Sequence, residues 1–255
     1  MTVASVPGDH PELPHHTYII RAMKGETKKL AALTNDTKDG ETETPVIMNG
    51  PYGQRVLDTE ADNLLAIAGG TGISFTLPLI TKALQCGSFP GLISMVWVIR
   101  RTSDLRWIEP ELAKLKATAT AGKDREVRFE IDIFVTRDRG PSGSSMPVHD
   151  GLEVINDKEM RASIARSLSS ASEEMLSAQP GFRVHWLDGH HPGMDEVVKS
   201  FADSCAGGRS QVVASGPASM GTDLRKVVAK RCSGTKILKS DESGDIGLYW
   251  DDRMS

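Results

Sequence analysis

The chain has 255 residues, with 39% hydrophobic and 25% charged positions and a formal net charge of −4. That composition supports a packed core and excludes a disordered chain, and an acidic balance with a pI of about 6.0 speaks against a nucleic-acid partner. Cys86, Cys205 and Cys232 are odd in number and lack any C-x-x-C spacing, which disfavours a disulfide scaffold or a cysteine zinc site and favours a reducing compartment.

Residues 1–16 carry neither a basic start nor an apolar run, so no secretory signal is read there. Strand-like pieces over 17–21 and 45–48 flank a short basic helix over 27–33, and a domain junction is expected near Gly53 to Asp58. Beyond it, strands and helices alternate. Strands are expected over 64–68, 93–99, 128–136, 182–187, 211–215 and 246–250. Helices are expected over 74–85, 110–116, 194–205 and 219–231, with Pro110 at a first helical position. Residues 137–181 break this rhythm and read as a surface insertion carrying one helix over 157–178. Two uncharged stretches, 63–81 and 84–99, have the length of membrane spans. They hold Gly69, Gly70, Gly72, Pro78, Gly87 and Pro90, which do not suit a spanning helix. The expected fold is α/β, a doubly wound and mostly parallel sheet over 55–255, preceded by a separate small unit over 1–54.

Three motifs fall where such a sheet meets its helices. Leu64-Leu-Ala-Ile-Ala-Gly-Gly-Thr-Gly-Ile73 is a buried strand running through a glycine turn into a helix. Glycines there let the backbone approach a pyrophosphate, and the free N–H groups of the helix start favour anions. The full G-x-G-x-x-G is not present, since Phe75 stands at its third position, so a purely structural turn is the competing reading. Pro78 is tolerated if it lies in the first helical turn. Arg100 and Arg101 follow the second strand, where an acid would select a ribose 2′-hydroxyl and an arginine a 2′-phosphate. The competing reading is a solvated basic turn paired with Asp104 or Glu109. Ser215-Gly216-Pro217 follows the fifth strand at the same edge of the sheet, and the plain alternative is a turn capped by Ser219.

Other residues receive structural readings. His15, His16, His190 and His191 are adjacent pairs that do not suit one metal. No Gly-x-Ser-x-Gly is present. Cys205 and Cys232 read as semi-buried helix residues, Trp97 and Trp107 as packing, and the charged stretch 125–138 as the polar flank of a strand. Lys24-Gly25-Glu26-Thr27 and Gly50-Pro51-Tyr52-Gly53 read, taken alone, as turns.

In their order and spacing these pieces resemble the dehydrogenase region of the ferric reductase and NADPH oxidase family, and fungal ferric-chelate reductases in particular. The resemblance rests on Thr2-Val-Ala-Ser-Val-Pro7, Tyr18-Ile-Ile-Arg-Ala22 with Lys24-Gly25-x-Thr27, Asn49-Gly-Pro-Tyr-Gly53 and Ala68-Gly-Gly-Thr-Gly-Ile-Ser74. It continues through Val96-Trp-Val-Ile-Arg100 with Asp104-Leu-Arg-Trp107, Ser215-Gly-Pro217 and Leu248-Tyr-Trp-Asp-Asp-Arg253. It implies a ferredoxin-reductase-like nucleotide-binding domain after a flavin-binding barrel. Hydride passes from NADPH to FAD, and electrons pass on to haem in a membrane domain, for ferric-chelate reduction. Gly69, Gly70, Thr71 and Gly72 would hold the NADPH pyrophosphate, Arg100 and Arg101 its 2′-phosphate, and Ser215, Gly216 and Pro217 its nicotinamide. Thr2, Ser5, Lys24, Gly25 and Thr27, with Gly50, Pro51, Tyr52 and Gly53, would contact FAD. Tyr249 and Trp250 would approach the ring stack, and Ser215 and Trp250 are the expected catalytic residues. No resident metal is implied.

Two departures from the family pattern bear on this expectation. The family's flavin strand begins His-Pro-Phe before the threonine, whereas this sequence begins Met1-Thr2, so residues 1–54 are expected to be a partial barrel of an N-terminally truncated chain. Where many relatives have Cys-Gly-Pro, this chain has Ser215-Gly-Pro217. The competing expectations are an NADPH-binding module without catalysis of its own, and a soluble NADPH oxidoreductase with another acceptor. The expected location is cytoplasmic, or the cytosolic face of a membrane, with no spanning segment in this chain.

Overall fold

The computed structural model describes residues 17–20, 22, 24–35, 42–47, 55–121, 128–138, 181–232 and 245–251. Six strands make one sheet: β1 (Asn63–Gly69), β2 (Leu92–Ile99), β3 (Arg128–Val135), β4 (Phe182–Trp186), β5 (Ser210–Ser215) and β6 (Ile246–Trp250). Their spatial order is β4-β3-β2-β1-β5-β6, and every neighbouring pair is parallel. β2 is buried at every position and β1 at all but its last. Unbroken apolar runs such as NLLAIAG and LISMVWVI are what a strand covered on both faces requires.

Alternation along each strand divides the core into two layers. Leu64, Ala66 and Ala68 of β1, with Ile93, Met95 and Trp97 of β2, face the helices α2 (Ile73–Cys86) and α3 (Glu109–Ala121). Leu65 and Ile67, with Val96 and Val98, face α4 (Met194–Ser204) and α5 (Ala218–Arg231). Each fully buried leucine or isoleucine contributes about 1.5–3 kcal/mol, so the central strands anchor the domain. The uncharged stretches resolve into pieces of this core: β1, its turn and the apolar face of α2, then the end of α2 and β2. No helix among the described residues is long and apolar enough to cross a membrane.

Expected element boundaries agree with the structure to within a residue or two, with three exceptions. A 3-10 segment, Thr102–Ile108, precedes α3, which places Pro110 second in that helix and extends it to Ala121. α2 begins at Ile73, so Pro78 lies inside the helix rather than in its first turn. There it deprives the Ser74 carbonyl of its usual donor, and the buried face of Ile73, Leu77, Ile80 and Ala83 offsets that loss. Near the start, α1 (Glu26–Asn35) is present, but residues 17–20 and 45–47 are not strands. Tyr18 forms an isolated bridge, and Val46 and Ile47 are exposed. Apolar alternation makes a strand only where a neighbour supplies its hydrogen bonds. Arg21 and Met48 lie outside the described residues, as do the expected helix over 157–178 and nearly all of the insertion over 137–181.

The outer pair, β3 and β4, is joined by charge as well as backbone. Asp132 lies beside Arg183, and Phe134 beside His185. Arg183 donates to both carboxylate oxygens of Asp132 at 2.7 Å and to Glu130 at 2.8 Å. His185, stacked on Phe134 at 4.6 Å, places Nε2 2.8 Å from Asp132. The stretch read as a polar flank is thus an inter-strand network. Burial pushes the Asp132 carboxyl up, but the hydrogen bonds and charges of Arg183 and His185 outweigh it and hold the group below the ordinary carboxylate range.

Asp132→Asn is expected to lower stability at pH 7 by about 1–3 kcal/mol, measured by urea unfolding. Because the folded-state pKa lies below the unfolded one, the contribution of Asp132 is complete above about pH 4 and fades as pH falls through the folded value. The gap between variant and native chain should therefore narrow in acid.

Candidate functional site

From β1 the chain winds outward through β2, β3 and β4, then returns to place β5 on the other side of β1. The order reverses between β1 and β5, and in open parallel sheets the crevice at that reversal, outside the carboxyl ends of the strands, is where ligands bind. Ala68 pairs with Ser215, so the turns after β1 and β5 leave the sheet side by side.

The two turns touch, and glycine makes the contact possible. A Cβ on Gly69 would stand 2.7 Å from Pro217 Cδ, and one on Gly216 3.1 Å from the Gly69 backbone. A Cβ on Gly72 would collide with the Ser215 carbonyl. Gly70 differs: its φ is +56° and no atom lies within 4 Å of where its Cβ would be. The sequence reading assigned Gly69, Gly70 and Gly72 to the approach of a pyrophosphate and Gly216 to the nicotinamide. The structure divides the labour, with Gly69, Gly72 and Gly216 packing turn against turn and Gly70 turning the backbone beside open space. Gly70–Gly72 is a 3-10 turn leading into α2, whose start carries no side-chain cap and no acidic residue. Its N–H groups suit an anion.

Trp97 completes this turn from below. It is fully buried, as the packing reading expected, but its indole Nε1 also donates to the Gly70 carbonyl at 2.9 Å. Trp97 pairs with Ala68, the residue just before the glycines. A large hydrogen-bond donor on the neighbouring strand at that register was the signal available for this role.

Arg100 and Arg101 leave β2 at the same edge and are exposed. The Asp104 carboxylate accepts from their backbone N–H groups at 3.1 and 3.2 Å. It caps the turn, so the expected pairing of these arginines with Asp104 or Glu109 is not what the structure forms. Among the described residues neither guanidinium has a carboxylate partner. Arg137, read as strand flank or insertion, belongs beside them: its N–H donates to the Arg100 carbonyl at 2.8 Å, and the residue is exposed. Asp138 ties the same two loops by accepting from Thr102 N and Oγ1 at 2.7 and 2.8 Å.

Ser215 has no exposed surface, and its hydroxyl donates to Asp251 at 3.2 Å. Asp251 is 2% exposed, and its own N–H donates to the Ala214 carbonyl at 2.9 Å. The sequence reading overlooked Asp251 as a site residue, although an acid directly after the last parallel strand falls at this edge. Pro217 is the N-cap of α5 and Ser219 lies inside that helix, so the expected serine cap is not formed. Trp250 packs on the α5 side, against Gly221 and 5.8 Å from the Arg225 guanidinium. It borders a cavity of 420 Å³ lined by Arg225, Val228, Ala229 and Leu248. Tyr249 points to the other face and stacks on Phe75 of α2 at 5.9 Å.

Lys24, Gly25 and Thr27 stand at the start of α1, where the Gly25 carbonyl accepts from Lys28 and Lys29. Thr2, Ser5, Gly50, Pro51, Tyr52 and Gly53 lie outside the described residues, as do His15 and His16. Cys232 is exposed rather than semi-buried, and Cys205 is half-buried at the end of α4, where burial pushes its thiol up to about 11. No cluster of potential metal ligands occurs among the described residues.

The sequence matches the family described as the ferric reductase NAD binding domain over residues 61–229. It is 26% identical over 217 residues to ferric reductase transmembrane component 5 of Saccharomyces cerevisiae, a match covering 84% of this chain and 27% of that protein. It is 32% identical over 100 residues to ferric/cupric reductase transmembrane component 7 of the same yeast, covering 38% of this chain and 15% of that protein. The matches thus span a small part of each relative's length.

The crevice geometry separates two glycine variants. Gly72→Ala must displace the β5 turn and is expected to lower the melting temperature sharply. Gly70→Ala meets no atom and carries only left-handed strain of about 1–2 kcal/mol, so it should fold while its nucleotide affinity drops. Thermal melts with and without NADPH check both outcomes.

Proposed function

Because the chain belongs to the family of ferric reductase NAD-binding domains, we propose that it binds NADPH in the crevice between β1 and β5 and passes hydride to FAD, for the reduction of ferric chelates. The observation that carries this reading is the contact of the Gly69–Gly72 and Ser215–Pro217 turns at the reversal point, flanked by exposed arginines that have no carboxylate partner among the described residues. The N–H groups of Gly70, Thr71 and Gly72 would hold the pyrophosphate. Arg100 and Arg101, joined by Arg137, would meet the 2′-phosphate. Exposed Pro217 and the turn behind it would bound the nicotinamide. Ser215 lies beneath the surface, so its contribution is to fix this turn through Asp251. The nicotinamide and flavin supply the redox chemistry, and the protein supplies binding, orientation and electrostatics.

The flavin would sit on residues 1–54, through Thr2, Ser5, Lys24, Gly25, Thr27 and Gly50 to Gly53, with Trp250 toward the ring stack. Electrons would continue to a haem-bearing membrane domain of a parent or partner chain, at the cytosolic face of that membrane. Both yeast relatives are named as transmembrane components, which supports this arrangement. A second reading, an NADPH-binding module without turnover of its own, is favoured by one feature. Among the described residues, the crevice contacts given above are made by residues 69–138 and 214–251.

One assay distinguishes these readings. The purified chain is supplied with FAD, NADPH and ferricyanide. Turnover with a yellow protein supports the reductase. NADPH-dependent thermal stabilisation without turnover supports the binding module. Arg100→Ala is expected to weaken NADPH about tenfold or more, as loss of a charge-assisted hydrogen bond would, and to leave NADH affinity unchanged. An unaltered NADPH/NADH preference would remove the 2′-phosphate assignment.

A further inference from the structure

Beside the arginines stands one exposed indole. Trp107 lies in the 3-10 segment that follows Arg101 and is 39% exposed, while Leu105 and Ile108 of the same segment are 2% and 0% exposed. Among the described residues it is the one aromatic side chain in the exposed class. Its ring centroid lies 6.4 Å from that of Trp97, tilted by 56°. Trp97 in turn holds the Gly70 carbonyl. The glycine turn, the buried indole and the exposed indole therefore form a continuous row, and the segment that carries the exposed indole starts from Arg101 as its N-cap.

We propose that Trp107 is the face on which the adenine of the dinucleotide stacks, so that the segment after β2 is an adenosine 2′-phosphate subsite. This rests on the nucleotide reading above and adds a residue and a ligand part to it. The covalent structure of the ligand makes the argument. The 2′-phosphate and adenine are attached to one ribose, so a base whose phosphate meets these arginines must lie within one sugar of them. The same ribose connects through its 5′ side to the pyrophosphate, which the Gly70–Gly72 turn would hold. An aromatic surface joined to the glycine turn through Trp97 and carried by the segment that follows Arg101 is therefore where a purine would come to rest. Exposed purines gain from stacking on an aromatic side chain. Trp97 fixes the inner side of Trp107, so little side-chain freedom would be lost on binding.

The test uses the whole chain with adenosine 2′-monophosphate, NADPH and nicotinamide mononucleotide as probes, by calorimetric titration. Trp107→Leu keeps an apolar side chain and removes the ring. It is expected to weaken adenosine 2′-monophosphate and NADPH by a similar factor, on the order of tenfold, and to leave nicotinamide mononucleotide unchanged. Trp107→Phe should recover most of the loss. Wild-type affinity for adenosine 2′-monophosphate in Trp107→Leu overturns the subsite while the nucleotide reading stands. An equal loss for nicotinamide mononucleotide, or no recovery in Trp107→Phe, also overturns it, because either shows that the indole merely supports the glycine turn through Trp97. If the native chain binds neither NADPH nor adenosine 2′-monophosphate, the nucleotide reading itself fails and the subsite falls with it.

Discussion

The close approach of two backbone turns governs this molecule. Where β1 ends, Gly69 and Gly72 lie against Pro217 and the Ser215 carbonyl, and Gly216 lies against Gly69. No side chain fits between them. The contact follows from the sheet order, since β5 must sit directly beside β1 for the turns to meet, and the order follows from a chain that winds outward four strands before returning. The crevice is thus a property of the topology, and the glycines are what let the topology close. A side chain at Gly72 would force the two turns apart at the Ser215 carbonyl, and one at Gly69 would displace Pro217.

Two buried hydrogen bonds hold the floor of that crevice from opposite sides. From β2, Trp97 holds the carbonyl of Gly70, the residue with positive φ. From the end of β6, Asp251 accepts from Ser215 and is itself tied to the Ala214 carbonyl. In a low-dielectric interior a made hydrogen bond is strong and a lost one costly, so both turns are fixed before any ligand arrives. The arginine rim is built otherwise. Asp104 and Asp138 bind backbone and hydroxyl groups of the loops, which leaves the guanidiniums in water without carboxylate partners among the described residues. A rigid floor and an unneutralised rim suit a ligand with a pyrophosphate at one point and another phosphate at a second.

The elements of the sheet were legible because burial on both faces leaves its mark on composition: β1 and β2 read as strands from their apolar runs, and glycine marked where β1 turned. What could not be read depended on register and direction. That Trp97 would lie under Gly70 requires knowing that β2 pairs with β1 at Ala68. That Asp251 would lie against Ser215 requires β6 beside β5. Arg137 read as strand flank because its neighbours are charged, and only the link of the β3 loop to the β2 loop places it at the rim. The pieces over 17–20 and 45–47 had strand composition, yet beyond an isolated bridge at Tyr18 they form no strand, and pairing is not a local property. Pro78 shows the reverse. The local rule tolerates proline in a first helical turn, whereas the buried face of α2 holds this one inside the helix.

The division between floor and edge has a consequence for how variation would act. Asp132, Arg183 and His185 tie β3 to β4, two strands away from the reversal point, and the charges they bury are paired with one another. Damage there acts on stability as a whole, because partners stranded in a low dielectric destabilise the sheet wherever they lie. An added side chain at Gly70 meets no atom and costs only left-handed strain, and loss of an exposed arginine removes no carboxylate contact among the described residues. The two regions are linked through backbone, where the Ile99 carbonyl accepts from Thr136 and the Arg100 carbonyl from Arg137, and through the Asp138 carboxylate, which accepts from Thr102. Arg137 therefore belongs to both, as the second residue past a strand that the edge network steadies and as part of the rim. A loosened β3 would reach the arginine rim through Arg137 before it disturbed the glycine turn, which Trp97 and the β5 contact hold independently.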